Sequence, residues 1–160
     1  MPRLRILALA AGLSVLATPA AHAQAPPPPA AAGYNAELAR TLGADERGMR
    51  SYVLVILKTG PTRVPAGAER DEMFKGHFAN IERLAKAGTL AVAGPFADAG
   101  DGWRGLYLFA VTDVEEARKL VATDPVIVKG EMVAEYHPWY ASAALMTVPA
   151  THDTLVKKPR

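Results

Sequence analysis

The chain has 160 residues, half of them hydrophobic and 21% charged, enough for one globular domain with a modest remainder. It has no cysteine, which excludes a disulfide framework, a thiolate zinc site and a cysteine nucleophile. Of its 18 Lys and Arg against 16 Asp and Glu, Arg3 and Arg5 sit at the extreme N-terminus, and without residues 1–23 the two signs balance. Such a domain carries no electrostatic footprint for nucleic acid or an anionic membrane.

Residues 1–23 read as a secretory signal: Arg3 and Arg5, an apolar run from Ile6 to Leu16, a break at Pro19, and Ala21-His22-Ala23 in the A-x-A form of a cleavage site. The apolar run falls short of the roughly 20 residues of a membrane span. A periplasmic or secreted protein cut after Ala23, with no stable membrane insertion, is expected; a retained anchor is the alternative. Residues 24–33, with four consecutive prolines, favour polyproline II and act as a spacer. Leu38 and Leu42, spaced i, i+4, suggest a short peripheral helix within 34–49, limited by Gly43 and Gly48.

The domain proper is expected over 50–146. Ser51 to Lys58 is an aliphatic, β-branched run ended by Thr59-Gly60-Pro61, a strand covered on both faces. Residues 69–87 predict an amphipathic helix, with Phe74, Phe78, Ile81 and Ala85 on one row and Met73, His77 and Leu84 on the next. Thr89 to Ala93 is a short strand ended by Gly94-Pro95, and Arg104 to Val111 a third, with Leu106, Leu108 and Ala110 alternating against Tyr107, Phe109 and Val111. Thr112 or Asp113 caps a second helix that stops before Asp124-Pro125. A last strand runs from Met132 to His137 and stops at Pro138; Trp139 to Leu145 is apolar enough to pack on something, and residues 147–160 read as a flexible, frayed tail.

The order β-α-β-β-α-β predicts an α+β, ferredoxin-like fold: a four-stranded antiparallel sheet with two helices on one face. The opposite face is left exposed in a monomer, yet the first and third strands are apolar on both sides. A second copy of the sheet is the simplest cover, giving a homodimer.

Tyr52 to Pro61, Gly76-His77, Leu90 to Phe96, Trp103 to Phe109, Thr123-Asp124-Pro125 with Gly130, and Glu135 to Tyr140 occur in an order and spacing that resemble the YciI family (YCII-related domain proteins) over about residues 51–146. The resemblance implies the fold derived above in its dimeric α/β-barrel form, with dimers through the sheet face. It also implies a cleft built around the helix histidine and an aspartate, which here match His77 and Asp124. One branch of the family eliminates HCl from a chlorinated hydroquinone, and related ferredoxin-like dimers include lactone isomerases and small monooxygenases. The signal segment departs from the common form and sets this chain apart from a cytoplasmic metabolic role.

His77 lies at the edge of the apolar stripe. An imidazole there suits a general acid or base, with Asp124 holding one ring nitrogen and the other left for substrate. The same positions also suit a core-edge histidine bonded to backbone and an aspartate that caps a turn. Asp98 and Asp101, in the loop after Phe96, are further acidic candidates or simple turn formers. Arg104 suits an anionic substrate or a surface ion pair, and Thr59 could offer a hydroxyl. Trp139 and Tyr140, after His137-Pro138, suit an aromatic ligand wall or packing against a partner. No HxH or HExxH spacing supports a metal, and GxGxxG, GxxxxGK[ST] and GxSxG are missing.

Two readings follow. One is a cofactor-independent lyase or isomerase using a His77–Asp124 pair, assisted or replaced by Asp98, on a small organic substrate bound with help from Thr59, Arg104 and Trp139. The other is a non-catalytic periplasmic ligand-binding or structural dimer. A concave, reachable His77 bonded to an acid favours the first; a buried His77 bonded to backbone favours the second.

Overall fold

The computed structural model of the chain describes residues 33–98 and 100–157; the expected signal segment and the linker as far as residue 32 lie outside them. Helix α1 (Ala36–Leu42) is capped by the Asn35 side chain and closed by Gly43 in the left-handed region at φ 68°, where a residue without Cβ is unstrained. Strand β1 (Met49–Thr59) follows, then α2 (Ala68–Lys86), β2 (Leu90–Pro95), β3 (Trp103–Phe109), α3 (Val114–Val121), α4 (Pro125–Val128), β4 (Met132–Ser142) and α5 (Val148–Leu155).

The sheet is antiparallel with order β2-β3-β1-β4, the ferredoxin-like arrangement. β1 lies inside it, which explains its near-continuous apolarity. Val53, Val55 and Leu57 of β1, with Tyr107 and Phe109 of β3, pack against Met73 and Leu84 of α2 and Ala117 and Val121 of α3. Each large side chain fully buried there contributes about 1.5–3 kcal/mol before entropy costs.

Three features differ from the sequence expectation. Pro138 does not end the last strand: β4 continues to Ser142, with Pro138 paired to Val53. β4 is an edge strand, and an edge tolerates a residue without an N–H when that position faces outward. Residues 148–155 are helical as α5 rather than a frayed tail, with Pro149 in the first turn, where its missing N–H costs nothing. The second sheet face is also not left bare by one chain. Tyr52, Ala91, Leu108 and Ala141 are buried there, with Leu145 and Met146 packed against them. The C-terminal segment folds back over an apolar patch that would otherwise meet water, because its own apolar residues gain the same burial. The β4 side of that face stays open, with Val133 and Trp139 each 44% exposed.

Candidate active site

Helix α2 carries the first functional side chain. Its buried residues are Met73, His77, Asn80 and Leu84, so the core-facing row is the one that contains the histidine. The Phe74, Phe78, Ile81 and Ala85 row instead lines a cleft of about 620 Å3 beside β2 and β3. The helix is thus apolar over a wider arc than the core needs, and the excess walls a cavity of small-ligand size.

Asp124 comes from the other end of the core. After α3 its backbone turns extended, its carboxylate accepts the Val126 N–H at 3.1 Å, and Pro125 opens α4. This is the N-cap that the Asp-Pro pair encodes. Gly76 lets the two elements close: a Cβ there would lie 3.0 Å from Pro125 Cγ, tighter than ordinary van der Waals contact.

The result is a buried three-residue cluster. His77 Nδ1 lies 2.9 and 3.0 Å from Asp124 Oδ2 and Oδ1. Tyr107 Oη donates to Asp124 Oδ2 at 2.6 Å and lies 3.2 Å from His77 Nδ1. Asp124 is fully buried, Tyr107 nearly so, and His77 is 8% exposed. A carboxylate accepts only, so the network assigns the ring proton to Nδ1, which donates to Asp124. Nε2 has no protein partner among the described residues, and the ring lines the cleft. Burial pushes the Tyr107 phenol far above its ordinary value, and the Asp124 charge and hydrogen bond push it the same way. The hydroxyl therefore stays protonated and serves as a fixed donor.

The cleft is lined mainly by apolar side chains, with Phe96 beside the α2 row, and its polar lining includes His77, Tyr107, Arg104 and His152. Arg104 lines the cleft, whereas Thr59, Asp98 and Trp139 are not among its lining residues. Thr59 is exposed and its hydroxyl donates to the Gly102 carbonyl at 3.2 Å, tying the end of β1 to the neighbouring loop. Asp98 is exposed and its carboxylate accepts the Gly100 N–H at 3.0 Å, the turn-forming role of an Asx residue; among the described residues the carboxylate on His77 is that of Asp124. The side chain of Asp101 lies outside the described part. Trp139 pairs across the ladder with Tyr52, ring centroids 6.4 Å apart, on the sheet face away from α2 and α3. Strand alternation sends it there. His137 pairs with Glu135 on the surface at 2.9 Å.

Sequence reasoning missed three contributors. Tyr107 was legible only as an alternating strand residue, although a buried phenol always calls for a partner. Glu131 is buried before β4, where it accepts the Val64 N–H at 2.8 Å and bonds to Arg70 at 2.8 Å and Arg63 at 3.1 Å. Val148, Pro149 and His152 of α5 close part of the cleft wall, and no periodic signal in that short segment announced it. Among the described residues no group of three His, Asp or Glu is placed to hold a metal ion, and no helix is long and apolar enough to cross a membrane.

A ferredoxin-like α+β domain with a histidine–aspartate pair beneath an apolar cleft is the class that fold and site define. Within that class the chain belongs to the YCII-related domain family, whose model matches residues 51–140. Among solved structures it is similar to 5-chloro-2-hydroxyhydroquinone dehydrochlorinase from Burkholderia phenoliruptrix, determined in complex with 2,5-dihydroxybenzoquinone. The identity is 23%, the match covers 55% of this chain and 92% of that one, and the TM-score is 0.41. No curated protein sequence matches the chain. The segment that folds over the second sheet face lies mostly beyond the family match.

Proposed function

We propose that the cleft takes a small organic molecule and that His77, oriented by Asp124, transfers a proton on it, as in a lyase or isomerase. The observation that carries this reading is the unpartnered Nε2 of a histidine whose Nδ1 is fixed by a buried carboxylate, on the wall of an apolar cleft. Neutral imidazole accepts the proton at Nε2, and the carboxylate stabilises the imidazolium that results. A positioned general base of this kind accelerates a reaction about 10^2–10^4-fold. The bond to a carboxylate, and not to backbone, favours this reading over a purely structural histidine.

The test is deuterium incorporation from D2O into a panel of small carbon acids, followed by NMR, with wild type and His77→Gln. Incorporation by the wild type that falls at least a hundredfold in the variant supports the reading. Equal rates in the two proteins would sink it.

The reading includes two further expectations. The protein acts after export, so the N-terminus of the mature protein is Gln24, which intact-mass measurement of the periplasmic or secreted form checks. It acts as a homodimer, with the open β4 side of the sheet, Val133 and Trp139, against its twin.

A further inference from the structure

We propose that the cleft carries a binding position for a carboxylate substituent, built on Arg104 and held in place by the buried Glu131; this rests on the cleft being the substrate site. Glu131 follows Gly130 (φ 70°), and its side chain is fully enclosed. Both of its oxygens are occupied: Oε2 accepts the Val64 N–H, and Oε1 accepts from Arg70 and Arg63. Arg104 reaches only to 4.0 Å from Oε1, close enough for attraction and too far for a hydrogen bond. Its side chain is 22% exposed and lines the cleft, and its guanidinium finds no acceptor within hydrogen-bond distance among the described residues.

Formal charge in the cleft is one-sided. Its lining holds the Arg104 guanidinium and no Asp or Glu. Behind Arg104, one carboxylate serves three guanidiniums, of which Arg63 is largely in water. An arginine left with free donors beside an apolar wall is complementary to an anion, and its planar fork matches the two oxygens of a carboxylate. Arg70 stacks on Phe74 at 4.9 Å, so the same Glu131 cluster also steadies the aromatic wall. The ligand that fits is an apolar, flat body with one carboxylate, its anion on Arg104 and its reacting carbon toward His77.

Benzoate and its neutral isostere benzamide are the probes, followed by 1H–15N NMR titration of the full mature chain. Benzoate is expected to shift the Arg104 side-chain N–H and the amides around His77, and to bind about tenfold or more tighter than benzamide, the worth of one charge-assisted hydrogen bond. Arg104→Met should bring the two affinities together, and Arg104→Lys should restore part of the preference. Glu131→Gln tests the support, and because it is buried, the Arg104 variants carry the test if it fails to fold. Equal binding of the two probes to wild type, no benzoate binding, or benzoate shifts confined to surface lysines would each overturn the proposal. If benzoate preference is absent while His77-dependent deuterium exchange persists, this inference alone falls. The reverse pattern leaves the carboxylate position standing and removes the catalytic reading.

Discussion

Tyr107 and Asp124 are joined by a 2.6 Å hydrogen bond inside the protein, on the same carboxylate oxygen that lies 2.9 Å from His77 Nδ1. The carboxylate is therefore clamped by a strand, a helix cap and a histidine at once. Tyr107→Phe removes one clamp without changing the packing volume. A hydrogen bond to a charged group contributes about 1.5–3 kcal/mol, so urea unfolding should show a loss of that order. The variant should keep its sheet and retain the His77 ring proton on Nδ1, donated to Asp124. An unchanged urea midpoint would show that the phenol contributes nothing to the clamp.

Gly76 predicts a separation between stability and site geometry. Gly76→Ala gains roughly 0.5–1 kcal/mol of helix propensity but brings a methyl group within 3.0 Å of Pro125 Cγ. Stability should stay within about 1 kcal/mol of wild type, while α2 moves away from α4 and the His77–Asp124 bond lengthens. The downfield Nδ1 proton resonance of His77 reads this directly. A resonance unmoved from wild type would show that the glycine is not what sets the approach.

Glu131 predicts the acid limb of stability. Burial pushes its carboxyl up, but the Val64 amide, Arg70 and Arg63 outweigh that and hold it below the ordinary glutamate value of 4.5. A group lowered in the fold contributes stability in full above its unfolded value, and that contribution is lost as pH falls through the folded one. Wild type should therefore lose stability on going from about pH 6 to about pH 3 more steeply than Glu131→Gln. At neutral pH the variant should be about 3 kcal/mol less stable, because Arg70 loses a buried partner. Parallel pH slopes in the two proteins would remove Glu131 from the acid response.

The proposed twin predicts an effect at Trp139. This ring is 44% exposed on the open β4 side of the sheet, and a charge there opposes any apolar contact across a two-fold axis. Sedimentation should show a dimer for wild type and a monomer for Trp139→Glu, with the far-ultraviolet circular dichroism unchanged. A monomeric wild type would mean that the C-terminal segment alone suffices as cover.

The alternation and apolarity of β1, the stripe of α2 and the turn chemistry at Asp124-Pro125 were legible in the sequence because each is set by neighbours close in the chain. They were enough for the β-α-β-β-α-β order, the ferredoxin-like sheet and the histidine on its helix, though not for α4 or α5. The pairing of His77 with Asp124, 47 residues apart, entered through family resemblance, since periodicity reports that a face is buried and not what it meets. Only the folded chain could bring Tyr107 onto that carboxylate, set Glu131 among three arginines, and send Trp139 and Asp98 away from the cleft. Only the folded chain, too, laid the C-terminal residues over the second sheet face. Pattern along a chain fixes which side chains leave water; which of them share a hydrogen bond is decided by how the elements close on one another, and at this site the missing side chain at Gly76 is part of that closure.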